Sequence, residues 1–364
     1  MSTQSYAPTR RHEFISSLEG LRAVASLGVL ATHAAFQTGM DPASNVGAIL
    51  ARFDFFVAVF FALSAFVLWR RREGQSWAQY YLKRCARIMP AYWVCVSCVL
   101  LFIPGGPWLA NLTLTQIYWP DGLMTGLTHL WSLCVEVAFY AVLPLLAVVL
   151  DRFGKPQRIG IIVVLALAGL GWAWLPMVES SLGQGWANMQ IWPPSYMCWF
   201  VVGLIAAELE GLQIPQLPYG VWCVLSVIIA WIAGQEWFGP LGLIHPTPWE
   251  FNLRILAGTA FAAVLVVPLA LGGSATLLSS PLMQKLGQWS YSIFLWHLPV
   301  LTIVFPLLGI QVFSGHFLLV LVFTTLITIP VAAVSFEFVE QPVQKALKRR
   351  FQRVAPKPGN RRDS

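Results

Sequence analysis

Ten predominantly apolar runs follow one another along the 364-residue chain, each about 17 to 25 residues and so long enough to cross a bilayer. They fall near 16–38, 48–69, 88–104, 126–150, 159–177, 191–209, 218–236, 251–273, 290–310 and 316–338. The polar segments between them are short, and no internal repeat is evident. This pattern predicts an all-α polytopic membrane helix bundle of about ten transmembrane helices over 1–342. A basic, Pro-containing segment at 343–364 is expected to be a flexible tail.

Several runs carry ionisable groups that a purely lipid-facing helix would exclude. The first reads Ser17-Leu18-Glu19-Gly20-Leu21-Arg22, then ten residues, then His33. At 100° per residue, Arg22 and His33 return to within about 20° of one direction and stand roughly 16 Å apart along the axis. Glu19 and Ser26 fall near the same stripe. In the fourth run His129, Ser132, Glu136 and Tyr140, three or four apart, place an imidazole, a hydroxyl, a carboxyl and a phenol on one face. Ionisable groups inside a membrane are costly and usually face a cavity or a pathway. The plainer alternative is that Glu19 pairs with Arg22 at the lipid boundary, and that His33 and His129 are packing or interfacial residues.

Three further stretches extend this set. Arg84 and Arg87 share a face at the mouth of the third run, as topological markers or as forks for the phosphates of an anionic cofactor such as coenzyme A. His297 precedes Pro299 in the ninth run, and Glu337 and Glu340 close the tenth as candidate counter-charges for Arg22, Arg84, Arg87 or Lys345. If His33 and Glu136 meet in the outer half of the bundle, a neutral imidazole beside a carboxylate forms a general base with its orienting partner.

Composition agrees with a membrane protein: 57% of residues are hydrophobic and 11% charged. A net charge of +7 would suit nucleic acid, but its placement points to topology instead, so no nucleic-acid partner is expected. With the N-terminus in the cytoplasm, 20 of the 23 Lys and Arg fall on inner segments, and the outer loops hold acidic residues and His245 with no Lys or Arg. A multi-pass protein of the cytoplasmic membrane with both termini cytoplasmic is therefore expected. Its basic tail would be drawn to anionic lipid. The polar, basic first fifteen residues argue against a cleavable signal peptide. Six cysteines lie in or beside apolar runs without metal-type spacing, so no metal site is expected.

Together these stretches resemble the acyltransferase-3 family of integral membrane acyltransferases, whose members O-acylate carbohydrates, glycolipids, peptidoglycan and macrolides. The resemblance runs from Leu18 to Pro342 on five ordered motifs. They are Arg22 with His33; Arg84 and Arg87 continued by Ile88, Pro90, Tyr92 and Trp93; Trp131-Ser132-Leu133 with Glu136, Phe139 and Tyr140; Tyr291-Ser292 through Leu295-Trp296-His297; and Glu340-Gln341-Pro342. Two departures stand out. Ala58 and Ser64-Ala65 stand where the family has Asp and Ser-Gly around Phe60-Phe61, with Asp54 one turn upstream of Ala58. The closing motif has Gln341 in place of a cation. Some members carry a fused extracytoplasmic hydrolase-like domain. Without one, the chain would deliver the acyl group itself or hand it to an envelope-export partner.

The resemblance implies transfer of an acyl group, acetyl by expectation, from acyl-coenzyme A to a hydroxyl of a carbohydrate, glycolipid or related envelope acceptor. No permanently bound cofactor is expected. Arg84 and Arg87, with Arg22 deeper, would hold the donor and polarise its thioester. His33 would take the acceptor's proton, with Glu136 orienting it or binding the sugar, or His33 would itself carry the acyl group. Glu19, Ser132, Tyr140 and His297 are the expected substrate contacts. The excess of Arg over Lys, 17 against 6, points to a GC-rich genome such as an actinobacterium's, which makes mycolate-type glycolipids and macrolides candidate acceptors. A sugar or lipid exporter using the buried charges as a pathway, or a membrane scaffold, would account for the same buried charges without catalysis.

Overall fold

A computed structural model describes residues 14–73, 76–103, 106–182, 187–212, 214, 216–240 and 245–354, and among these the chain is all-helical with no strand. Ten principal helices overlap the ten apolar runs, two of them starting nine or more residues before the run. They are α1 (Ser16–Gln37), α2 (Asn45–Arg70), α3 (Trp77–Phe102), α4 (Thr128–Leu150), α5 (Lys155–Trp174), α6 (Met197–Glu208), α7 (Tyr219–Ala233), α8 (Pro248–Ala270), α9 (Pro281–Leu308) and α10 (Phe317–Gln352). Local chemistry sets several starts. Ser44 and Ser76 accept hydrogen bonds from Gly47 N and Gln79 N, and Thr247 with Glu250 closes a capping box behind Pro248.

Seven of these helices, rather than ten, are long and apolar enough to cross a membrane. The three that fall short do so for different reasons. α1 has 22 residues, but Arg22 and His33 lower its apolarity. α6 is cut to 12 residues because Pro193 and Pro194 open a 3-10 turn over Pro193–Tyr196, and α7 has 15. α1 is nonetheless central: it packs along α9 and also meets α2 and α10. α2 packs mainly on α6 and α8.

Glycine permits the two closest pairings. A Cβ on Gly287 of α9 would stand 2.2 Å from Glu19 O, and one on Gly203 of α6 would stand 1.9 Å from Ala62 O of α2. Membrane helices approach closely through such small residues. Gly203→Val should therefore prise α6 from α2 and destabilise the protein by about 1–3 kcal/mol. Thermal unfolding of the detergent-solubilised protein, with a lowered midpoint, checks this.

At one end of the bundle, basic side chains gather around the buried Glu208 and the more exposed Asp151 and Glu210. Glu208, 7% exposed, accepts from Trp69 Nε1 at 2.7 Å and from Arg158 Nη2 at 2.8 Å, with Arg72 Nη2 at 3.7 Å. Arg72 also reaches Asp151, and Arg70 pairs with Glu210. These pairs tie the ends of α2, α4, α5 and α6 together. Glu208→Gln leaves two guanidiniums facing a neutral amide and should cost about 3 kcal/mol, the low end for breaking a buried pair because Arg158 retains some solvent. The loss is expected in the unfolding midpoint and not in activity per folded molecule.

The first part of the expected flexible tail is helical, continuous from α10 to Val354, and its residues 355–364 lie outside the described residues. α10 with its 36 residues would run about 54 Å, well past a hydrocarbon core of about 30 Å, so its basic end projects from the bundle beside α3. A π-helical turn at Phe336–Glu340 joins the apolar and basic parts. It turns Glu340 inward, 1% exposed, to accept from Ser292 Oγ at 2.5 Å, while Glu337 stays exposed. Among the described residues Glu340 makes no salt bridge to Arg22, Arg84, Arg87 or Lys345. It is a hydroxyl-bound carboxyl that still lies close enough to Arg87 to act on its charge through space.

Candidate active site

The stripe on α1 and the stripe on α4 face a common interior, but they build two centres rather than one. The first is a cavity of about 720 Å³, counting the part open to solvent, lined by Arg22, Ser64, Arg84, Arg87, Ser132, Glu136, Tyr140 and Tyr291. An adjoining space shares Arg22, Arg84 and Arg87 and continues past Glu19, Arg70 and Arg71 toward the basic end. Glu136 Oε1 accepts from Ser64 Oγ and Tyr140 OH, each at 2.5 Å. Arg84 lies 5.8 Å from the Tyr140 ring centroid, close enough to stack its cation on the ring.

The electrostatics of this cavity differ from those of the neighbouring arginines. Arg70, Arg72 and Arg158 are matched to acids. Arg22 has only a long contact to Glu19, at 3.8 Å. Among the described residues neither Arg84 nor Arg87 makes a salt bridge, although Glu340 lies close enough to Arg87 to feel its charge, and Arg84 Nε is buried without any hydrogen-bond partner. Three guanidiniums thus face one cavity, with Glu136 bonded to hydroxyls and Glu19 at its edge. Such a cluster is costly in an apolar bundle unless an anion completes it.

The second centre is a group of three histidines on three helices. Ring centroids of His33 and His297 are 5.2 Å apart, those of His129 and His297 4.7 Å, and those of His33 and His129 6.3 Å. Phe294 packs on His129 at 5.2 Å and on Phe60 at 6.0 Å, and both phenylalanines line the arginine cavity. They form the partition between the two centres. Among the described residues no group of His, Cys, Asp and Glu meets the geometry of a metal site.

The expected residues are therefore distributed unevenly. Arg22, Arg84, Arg87, Ser132, Glu136 and Tyr140 share the cavity, and Glu19 lines its approach. His33 and Glu136 are not brought together. Among the described residues no hydrogen bond joins them, and His33's neighbour His129 is seven residues before Glu136 on α4, about 10 Å along the axis. His297, expected to touch substrate, is 0% exposed behind His33. Ser132 donates to His129 O at 3.1 Å. Ser64 and Tyr291 were not among the expected site residues. Ser64 was signalled as a hydroxyl in an otherwise apolar run, and Tyr291 donates to Ile88 O at 2.8 Å, holding α9 against the Arg84–Arg87 segment.

A family model described as an acyltransferase domain, acyltransferase 3, matches residues 15–336, which include every one of these side chains. The chain belongs to the acyltransferase-3 family. Curated relatives include the peptidoglycan O-acetyltransferase OatA of Listeria monocytogenes, 23% identical over 379 residues, covering 92% of this chain and 56% of that protein. The acyltransferase MdmB of Streptomyces mycarofaciens is 28% identical over 333 residues, covering 81% of each chain. The O-acetyltransferase OatA of Staphylococcus aureus is 23% identical, covering 91% of this chain and 57% of its own length. The chain thus spans a little over half the length of the two OatA proteins. No solved structure gives a significant match.

Proposed function

We propose that this chain is a membrane O-acyltransferase that moves an acyl group, acetyl by preference, from acyl-coenzyme A to a hydroxyl of a glycan or glycolipid of the cell envelope. The observation that carries this reading is the cavity in which Arg22, Arg84 and Arg87 converge, with no salt bridge at Arg84 or Arg87 and Arg84 Nε unpartnered among the described residues. Guanidiniums match phosphate oxygens two by two, so an acyl donor rich in phosphate would complete the site. The distribution of Lys and Arg turns this end toward the cytoplasm, where the donor is made, with both termini on the same side.

Chemistry then divides along α1. The phosphates sit with Arg84 and Arg87, and the long arm of coenzyme A carries the thioester past Arg22 toward His33, three turns away on the same face. The Phe60–Phe294 partition must open for the arm to pass. His33 takes the proton from the acceptor hydroxyl as its oxygen attacks the thioester carbonyl. The C–O bond forms, the C–S bond breaks, and the departing thiolate receives that proton from His33. Arg22, three turns from His33 on the same helix, holds the passing arm; the oxyanion needs a donor about 3 Å from the carbonyl oxygen at the His33 end. Glu136 holds Tyr140 and Ser64 on the cavity wall and offsets part of the arginine charge. The Listeria relative named for peptidoglycan supports a glycan acceptor.

Membranes from cells with and without the protein, given radiolabelled acetyl-coenzyme A, test the reading. Label on an envelope acceptor only when the protein is present is the expected result. An exporter would leave the acceptor unlabelled.

A further inference from the structure

Two hydrogen-bonding constraints in the histidine group leave one residue with a forced role. A carbonyl oxygen only accepts, so a ring nitrogen bonded to one must carry the hydrogen. His297 Nδ1 lies 2.6 Å from Phe294 O, and His129 Nε2 lies 3.2 Å from Leu295 O. In their neutral forms the remaining nitrogens, His297 Nε2 and His129 Nδ1, are therefore bare acceptors. Both are buried, in side chains 0% and 2% exposed, and neither has a partner among the described residues. An unmatched buried acceptor is costly. The two rings cannot satisfy each other, because neither has a hydrogen to give on that side, and the Phe294 ring against them has none either.

His33 is the neighbour that has one. Its ring is 5.2 Å from that of His297, and it makes no hydrogen bond within the described residues. We infer that His297, supported by His129, and not Glu136, fixes the position of the proton on His33. The His33 N–H points to His297 Nε2, directly or through one water, which leaves the other His33 nitrogen bare and turned toward the acceptor. When His33 takes the acceptor's proton it becomes an imidazolium whose inner N–H remains directed at the His297 lone pair. No net proton passes to His297, and the same proton returns from His33 to the departing thiolate. His297 is a positioning residue, and the inference rests on His33 being the base.

The test uses the full-length protein in membranes and compares two replacements at one site. His297→Phe keeps a ring of similar shape without an acceptor, while His297→Gln places an amide oxygen near the position of Nε2. The readout is label transfer from radiolabelled acetyl-coenzyme A to the endogenous acceptor, as kcat and as KM for the donor. His297→Phe should lose about 100-fold in kcat, the low end of a general-base contribution, with donor KM within about twofold. His297→Gln should recover at least about tenfold of that loss. A purely structural residue predicts equal damage from both, and wild-type kcat in His297→Phe overturns the inference. If His297→Phe does not accumulate, His129→Asn against His129→Phe puts the same question at Nδ1. Asn must exceed Phe there, and equal losses overturn the inference. Full activity in His33→Ala would overturn the base assignment itself, whereas an inactive His33→Ala beside a fully active His297→Phe would remove only the role of His297.

Discussion

The His33→Ala protein is expected to insert and accumulate as wild type does, yet to transfer no measurable acyl group. Insertion should survive because replacing an ionisable side chain by a methyl group in an apolar bundle removes a cost, and water entering the vacated space can donate to His297 Nε2 in its place. Turnover should not survive. General-base catalysis is worth about 10²–10⁴-fold, and among the described residues no carboxylate interacts with His33 to take over. The affinity for the donor should be nearly unchanged, since the arginine cavity lies some three turns away along α1. Label transfer from radiolabelled acetyl-coenzyme A, normalised to protein in the membrane, checks this. Wild-type turnover in a well-accumulated His33→Ala protein would leave the histidine as packing.

Arg84→Lys and Arg87→Lys are expected to keep topology and lose donor affinity. Either lysine keeps the positive charge that orients α3, so the accessibility of loop positions to membrane-impermeant reagents should not change. What is lost is the planar fork, and at Arg84 the stacking on Tyr140 as well. Charge-assisted hydrogen bonds contribute about 1.5–3 kcal/mol each, so KM for the donor should rise by about 10- to 100-fold for each substitution. Turnover at saturating donor should fall much less. An unchanged donor KM in both proteins would reduce the pair to topological markers.

Much of the bundle was legible because helical arithmetic needs only the chain. The separation of Arg22 and His33 on one face of α1, and the His129, Ser132, Glu136, Tyr140 stripe on α4, both follow from 100° per residue. The lengths of α6 and α7 were less so. Apolarity continues through Trp192 and Tyr196, but Pro193 and Pro194 impose a 3-10 turn that apolar counting does not detect. The helical start of the tail was masked by its charge, since the helix is continued from α10 and held against α3.

The partner of His33 could not be read at all from the sequence. His33, His129 and His297 lie on three separate runs, and only the packing of α1 on α9 and the Leu295 carbonyl facing His129 unite them. Glu136 was paired with His33 because both are polar groups in apolar helices. The phase of a stripe says which way a residue faces, and not how deep its partner lies. Once His129 is next to His33, the seven residues to Glu136 place the carboxylate two turns away, among the arginines.

The most direct measurement uses purified protein reconstituted in liposomes containing extracted envelope lipids and glycans, with radiolabelled acetyl-coenzyme A supplied to the basic face. Wild type should bind coenzyme A and label an acceptor, and His33→Ala should bind coenzyme A as tightly while labelling nothing. Arg84→Ala with Arg87→Ala should do neither. Coenzyme A binding that ignores the arginines, or label that appears without His33, would contradict a site in which the arginine cavity holds the donor and His33 activates the acceptor.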